Sequence, residues 1–242
     1  VELRGRRAII TGASRGIGLA VAKALAADGV RVFLAARGEV DLARAAESIA
    51  TNGGEAGYLA CDMGDLEQIE TMFASAMKSL GGVDILVNNA GFNVKGPAVG
   101  LSARDWDRIL GVNLRAAFIL SKSAADEMIR QGSGYIINIG SGASQTPIAN
   151  NAAYCASKFG LLGFSESLAL ELRDKGVKVS IILPGSTATF FGDSTPESKL
   201  ASMPGMLRAE DVANCVLFLL RQAPQAWTSV MNLRPLNPKR TR

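Results

Sequence analysis

Tyr154 and Lys158 stand four residues apart in the stretch Tyr154-Cys155-Ala156-Ser157-Lys158. Residues at i and i+4 are neighbours on a helix surface. The run from Ala152 through Leu172 is rich in helix formers at an apolar spacing near 3.6. A phenol and an ammonium should therefore leave one face of one helix. A free phenol titrates near pH ~10, and a cation within a few ångströms favours the phenolate, so the pair is expected to lower that value toward neutrality. Such a phenol can exchange a proton with a substrate oxygen. The same pair also decorates ordinary amphipathic helices, so its meaning depends on the rest of the chain.

A second candidate lies near the start. Thr11-Gly12-Ala13-Ser14-Arg15-Gly16-Ile17-Gly18 follows the strand-like run Arg7–Thr11 and opens a helical pattern from Gly16 to Ala27. Glycines at 12, 16 and 18 permit a tight turn, close approach of backbone to a pyrophosphate and close helix–sheet packing, and a helix N-terminus offers N–H groups and a positive dipole. The spacing G-x-x-x-G-x-G in this strand–turn–helix context points to dinucleotide binding. A coenzyme lacking a 2′-phosphate would call for an acidic residue at the end of the second strand, but the chain has Ala35-Ala36-Arg37 there. Arg37 and Arg15 could clasp a 2′-phosphate with charge-assisted forks. NADP(H) is therefore expected, with NAD(H) as the alternative should Glu39 reach the ribose instead.

Composition narrows the chemistry. The 242 residues contain no histidine, which removes His-based triads and the commonest metal ligand, so proton transfer must use Tyr, Lys, Asp, Glu or Cys. No metal site is expected. Cys61, Cys155 and Cys215 have neither paired nor metal-type spacing, which suits a reducing, cytoplasmic setting. The chain opens directly into a strand pattern without a signal-peptide pattern, and no apolar run approaches the ~20 residues of a membrane helix. A net charge of +4 leaves room for an acidic partner, yet the basic residues are dispersed, bunching only at Lys239, Arg240 and Arg242. Without a basic run interleaved with aromatics, nucleic-acid binding is not expected.

The elements that must hold these residues alternate along the chain. Strand patterns at Val30–Ala36, Ala56–Cys61, Val83–Asn88, Tyr135–Ile139 and Val177–Leu183 are separated by helical patterns at 41–50, 66–80, 102–129 and 152–172. Short, continuously apolar strands in βα succession argue for a parallel sheet covered by helices on both faces, wound with right-handed crossovers. A last helix at 209–221 and strand at 229–233 complete seven strands. The expected fold is a single doubly wound, Rossmann-type α/β domain spanning 1–242, its sheet mainly parallel in the order 3-2-1-4-5-6-7.

With Ser141 thirteen residues before Tyr154, and Asn113 upstream after Asn88-Asn89-Ala90-Gly91, the order of motifs resembles the short-chain dehydrogenase/reductase family, of its compact type. The similarity runs from the glycine motif to about Leu233. It implies that Tyr154 is the general acid in ketone reduction and the base in alcohol oxidation, that Lys158 lowers its pKa and holds the nicotinamide ribose, that Ser141 polarises the substrate oxygen, and that Asn113 positions a water leading protons from Lys158 to solvent. Asp62 and Met63 match the adenine-contacting pair, Asn89-Ala90-Gly91 the segment along the cofactor, and Asn88 a brace of the central sheet. Pro184-Gly185 with Thr187 and Thr189 match the stretch holding the nicotinamide carboxamide. Gly140 stands where a serine is common, a change expected to be tolerated, and Ser229–Pro235 replaces a frequent glycine-rich ending. The resemblance further implies a homotetramer or homodimer formed through the Asn113 and Tyr154 helices.

The expected division of labour is cofactor binding mainly in 1–100, catalysis in 101–183, a substrate lid in 184–210 and a basic tail in 234–242. Phe190, Phe191, Leu200, Met203, Met206 and Leu207 of the lid suit a hydrophobic ketone, or equally pack down as core. A carbonyl reductase acting on a ketone or an acyl-thioester 3-oxo group, similar to NADP(H)-dependent carbonyl and 3-oxoacyl reductases, is expected. The competing readings are an NADP(H)-binding sensor without turnover and an NAD-dependent alcohol dehydrogenase.

Overall fold

The structure, a computed structural model, describes residues 2–192 and 195–236. Of the expected basic tail, residues 237–242, with Lys239, Arg240 and Arg242, lie outside the described residues.

Seven strands form one sheet: β1 (Arg7–Thr11), β2 (Arg31–Ala36), β3 (Ala56–Ala60), β4 (Ile85–Asn88), β5 (Gly134–Ile139), β6 (Val177–Pro184) and β7 (Val230–Leu233). Their order is β3-β2-β1-β4-β5-β6-β7, and each of the six pairings is parallel, as the alternation of apolar strands and helices predicted. The helices are α1 (Gly16–Ala27), α2 (Glu39–Thr51), α3 (Leu66–Leu80), α4 (Ala103–Leu110), α5 (Ala116–Gln131), α6 (Ala152–Leu172), α7 (Pro196–Ser202) and α8 (Ala209–Arg221).

Successive strand residues point to opposite faces, and neighbours in sequence are divided accordingly between two cores. Ile10, Leu34, Val87 and Ile137 pack under α1, α2 and α8, whereas Ile9, Phe33, Leu86 and Ile136 pack under α3, α5 and α6. Both faces of the central strands are buried, which is why those strands read as continuous apolar runs. Helix ends are set by local chemistry. Asp65 caps α3 by accepting from the N–H of Gln68, and Gly81, at φ 75°, ends it in the left-handed conformation glycine tolerates best.

A chain of buried polar groups crosses the second core. Asn88 Nδ2 donates to Asn138 Oδ1 (2.9 Å) and Ser121 Oγ (3.0 Å), and Asn138 Nδ2 donates to Ser165 Oγ at 2.8 Å. This chain of buried groups ties β4, β5, α5 and α6 together. At the opposite, amino-terminal edge, Arg7 grips Asp84 bidentately (2.8 and 2.9 Å) and also donates to Gln131 at the end of α5. Burial pushes the Asp84 carboxyl up, but hydrogen bonds and charge from Arg7 outweigh it and leave the group below the usual carboxylate range.

The stretch 102–129, expected as one long helix, is broken. Between α4 and α5 the residues Gly111–Arg115 form a wider turn in which the Ala116 N–H reaches back five residues to Gly111 O. Such π-type turns recur at functional sites, and this one carries Asn113. Within the expected lid region lies a short helix, α7, capped by Thr195 accepting from the Ser198 N–H.

Candidate active site

The carboxyl ends of the strands gather the residues singled out by spacing. After β1, the Ala13 N–H donates to Ala35 O at 3.2 Å, which ties the glycine turn to β2. After β4, Asn89 Nδ2 donates to Thr11 O (2.9 Å) and Gly12 O (3.2 Å), while Thr11 Oγ1 accepts the N–H groups of Asn89 and Ala90 at 3.0 Å each. The glycines are there for closeness. A Cβ on Gly12 would lie 2.8 Å from Asn89 Nδ2, and one on Gly18 would lie 2.6 Å from the same nitrogen and collide with Gly12 O. The N-terminus of α1 has no side-chain cap and no acidic residue in its first turn, unlike α3. Its amides, from Gly16, Ile17 and Gly18 beside half-buried Ser14, form a ready site for an anion.

Beside it, Arg37 follows directly on β2 and is exposed, and Arg15 projects from the turn, also exposed. Glu39, held open as a ribose ligand if the strand ran further, is instead the first residue of α2, because β2 ends at Ala36 as expected. The Cys61 N–H donates to Ala36 O at 2.8 Å, so Asp62 and Met63 adjoin the same strand end. Asp62 Oδ1 accepts from the Gly64 N–H at 2.9 Å, and Met63 is buried.

Tyr154 and Lys158 share a face of α6, as their spacing required. Lys158 is buried at 4% exposure, and its Nζ donates to Ile139 O, the last residue of β5, at 2.9 Å. The ammonium sits 5.8 Å from the centroid of the Tyr154 ring. Desolvation holds its pKa down to about 8. The expectation that Lys158 lowers the phenol pKa is not what this arrangement produces. Burial pushes the Tyr154 phenol above its ordinary value, the Ser141 hydroxyl within hydrogen-bonding reach pulls it back, and the Cys155 thiol adds to the rise. Solvent exclusion dominates at the hydroxyl, while the ammonium, bonded to the Ile139 carbonyl, stands off from the ring.

Ser141 opens a 3-10 turn, Gly142–Ser144, and its Oγ accepts the Ala143 N–H at 3.1 Å, while its own N–H donates to the buried Ser144 hydroxyl at 3.2 Å. Gly140 precedes it; a Cβ there would lie 2.5 Å from Leu183 Cδ2 and 3.0 Å from Ile181 Cδ1, so those side chains fill the space a serine would take.

Asn113, 1% exposed, is fully engaged: Oδ1 accepts from the Phe92 N–H (2.9 Å), and Nδ2 donates to Phe92 O and Ser157 Oγ, both at 3.0 Å. Ser157 Oγ in turn donates to Tyr154 O at 2.7 Å. Asn113 thus joins the segment after Gly91 to the helix of Tyr154, and Gly91 lies over both: a Cβ on it would be 3.3 Å from Asn113 Oδ1 and 3.8 Å from Lys158 Nζ. Ser157 escaped the sequence reading, since a serine inside a helix carries no distinguishing pattern.

The segment after β6 closes the ring. The Gly185 N–H donates to Leu233 O at 2.7 Å next to buried Pro184, and Thr187 pairs with Leu207 in a one-residue parallel bridge. Thr189 is buried and approaches Gly16, where an added Cβ would meet its Cβ at 3.4 Å. Phe191 packs on Tyr154 with ring centroids 5.6 Å apart, and Lys199 of α7 donates to the carbonyls of Thr189 (2.7 Å) and Phe191 (2.6 Å). Nothing in the spacing of Lys199 announced that role. Among the described residues no cluster of His, Cys, Asp or Glu could hold a metal, and no helix is long and apolar enough to cross a membrane.

A doubly wound parallel sheet with a glycine turn, an uncapped helix and a Tyr–Lys–Ser group at its carboxyl edge defines a dinucleotide-type α/β enzyme architecture. The family model for short chain dehydrogenase matches residues 6–199. The chain is 37% identical over 224 residues to the 3-oxoacyl-(acyl-carrier-protein) reductase FabG of Haemophilus influenzae, covering 90% of this chain and 91% of that one. It is 38% identical over 196 residues to a D-threitol dehydrogenase of Mycolicibacterium smegmatis, covering 79% and 74%. A metagenomic short-chain oxidoreductase solved in complex with NADP superposes with a TM-score of 0.85 at 37% identity, over 97% of this chain and 99% of that one. The chain belongs to the short-chain dehydrogenase family of oxidoreductases.

Proposed function

We propose that this chain is an NADP(H)-dependent reductase of a ketone or 3-oxoacyl carbonyl, with Tyr154 as general acid. The observation that carries the reading is the juxtaposition of Ser141 and Tyr154 above buried Lys158, at the sheet edge where the glycine turn and Arg37 also lie. The residues present fit such a coenzyme: an uncapped, acid-free helix N-terminus suits its pyrophosphate, and exposed Arg15 and Arg37 at adjoining strand ends suit a 2′-phosphate. The relative solved with NADP supports the same choice.

Gly12, Ser14, Gly16, Ile17 and Gly18 would hold the pyrophosphate, Asp62 and Met63 the adenine, Asn89-Ala90-Gly91 the ribose side, and Pro184, Gly185, Thr187 and Thr189 the carboxamide. Bound there, the nicotinamide would supply or accept a hydride. Ser141 would donate a hydrogen bond to the substrate carbonyl oxygen, and Tyr154 would give that oxygen its proton as the alcohol forms. A phenol held above its ordinary pKa is protonated at neutral pH, which suits the acid role. Lys158 would place its charge beneath the ring and engage the ribose. With its amide spent on Phe92 and Ser157, Asn113 would act on any water through its backbone in the widened turn. The work is divided within one domain, with coenzyme binding mainly in 1–100, catalysis in 101–183 and the lid in 184–210.

Fluorescence titration with NADPH and NADH, followed by a ketone panel including a 3-oxoacyl thioester, tests the reading. NADPH should bind at least ~10-fold more tightly, as loss of charge-assisted bonds to a phosphate predicts, and one panel member should be reduced. Preference for NADH would overturn the coenzyme assignment, and tight binding with no turnover on any ketone would favour a sensor.

The chain is further read as a homo-oligomer. Phe118 of α5 and Phe164 of α6 meet edge to face at 5.9 Å, and Phe118 remains 49% and Leu170 61% exposed, an apolar face suited to a second copy. Sedimentation velocity at micromolar concentration should give a dimer or tetramer; a monomer there would count against it.

A further inference from the structure

Three consecutive residues after β6 touch three parts of the site. Thr189 lies against Gly16 of the glycine turn, Phe190 beneath the Arg15 guanidinium, and Phe191 against Tyr154. The Arg15 Cζ stands 5.5 Å from the Phe190 ring centroid, within the ~6 Å of a cation–π contact. Lys199 binds the carbonyls on either side of Phe190, those of Thr189 and Phe191, so the three residues are held as one strip. Whatever seats Phe190 also seats Phe191 on Tyr154.

A guanidinium has two kinds of surface. Its face stacks on aromatic rings, while its N–H donors radiate in the plane and fork onto phosphate oxygens. The Arg15 side chain forms no hydrogen bond or ion pair among the described residues, so its N–H donors are available while its Cζ lies over the Phe190 ring. One side chain can therefore serve a coenzyme phosphate and the lid strip together.

We propose that Phe190 is a positioning residue that makes seating of the lid depend on the coenzyme: a 2′-phosphate gripped by Arg15 fixes the guanidinium on which Phe190 stacks, and so holds strip 189–191 down on Tyr154. This rests on the reading that the coenzyme is NADP(H). NADPH then closes the strip more firmly than NADH, which leaves Arg15 unanchored. A ligand shifts a conformational equilibrium only by its differential affinity for the two states. An exposed cation–π contact limits that difference to about two- to five-fold, and reciprocity requires the strip to strengthen NADPH binding by the same factor.

Hydrogen–deuterium exchange of the peptides spanning 186–203, with the protein alone and saturated with NADPH or NADH, reads the strip directly. Coenzyme Kd is measured in parallel for the wild type, Phe190→Leu and Phe190→Tyr. Phe190 is 40% exposed, so these variants should keep the fold. In the wild type NADPH should slow exchange more than NADH does. Phe190→Leu should equalise the two and weaken NADPH binding two- to five-fold while leaving NADH unchanged, and Phe190→Tyr should behave as wild type. Equal protection by both coenzymes in the wild type, or a Leu variant that retains the difference, overturns the link and leaves the coenzyme assignment standing. Failure of NADPH to bind the wild type overturns both.

Discussion

Replacing Tyr154 by Phe should cut turnover by at least ~10²-fold, the lower end for losing a general acid, while leaving NADPH affinity within about two-fold. The variant removes one oxygen. The ring still packs against Phe191, α6 keeps its bonds through Ser157, and Lys158 stays on Ile139 O, so the site's frame should survive. The missing atom is the proton donor beside Ser141. The direction of the phenol shift adds a pH signature. Burial keeps Tyr154 protonated past its ordinary range, so carbonyl reduction should hold its rate through neutral pH, whereas alcohol oxidation, which needs the phenolate, should climb with pH. Steady-state rates for both directions across pH 6–10 (a span of about four units around the ordinary values) check this. Turnover in the Phe variant within tenfold of wild type would remove Tyr154 from the mechanism.

The second large effect concerns Lys158. Lys158→Met should also lose at least ~10²-fold in turnover, yet become more stable relative to wild type at neutral pH than at alkaline pH. Burial holds the folded-state pKa at about 8, below an unfolded value near 10.5. Between these values the unfolded chain binds more protons than the folded one, so wild-type stability rises with pH through this window. Methionine does not titrate there. At about 1.4 kcal/mol per pK unit, the charged lysine costs the fold up to ~3 kcal/mol at pH 7. The variant escapes that cost but leaves Ile139 O without its donor, at about 1–3 kcal/mol. Urea unfolding of both proteins at pH 7 and pH ~10 should show the wild type gaining on the variant by about 1–3 kcal/mol. A wild type that instead loses ground as pH rises would mean the ammonium is stabilised by its surroundings, contrary to its burial.

Much of the scaffold was legible because buried parallel strands leave a simple signature. The bounds of α1, α3, α6 and α8 match the apolar periodicity, and the strand order follows from the βα alternation. The glycine turn was legible from its own spacing between strand and helix, and the structure adds the contacts with distant Asn89 that Gly12 and Gly18 answer to. What escaped depends on tertiary context. The turn at Gly111–Arg115 keeps helical periodicity on both sides, so one additional residue between α4 and α5 leaves no break in composition. The i, i+4 rule placed Tyr154 and Lys158 on one face, but it could not say that the Ile139 carbonyl, from another element, would claim the ammonium. Nor could it say that burial of the Tyr154 hydroxyl would decide the direction of the phenol shift. The lid residues were readable as apolar but not as a strip, because Lys199, which holds it, is joined to it by backbone carbonyls that no side-chain pattern encodes.

The hydrogen bond from Asn138 to Ser165 has a further meaning for the machinery it never touches. Ser165 lies about three turns beyond Tyr154 and two beyond Lys158, and at about 100° per residue its direction falls between theirs, within ~20° of each. Apolar contacts alone would let α6 roll or creep along the sheet at modest cost, since hydrophobic packing tolerates rearrangement. A directional bond from a buried amide does not. Asn138 therefore acts as an indexing pin: it sets the rotation of the shaft at its inner end, and the phenol and ammonium at the outer end inherit that angle.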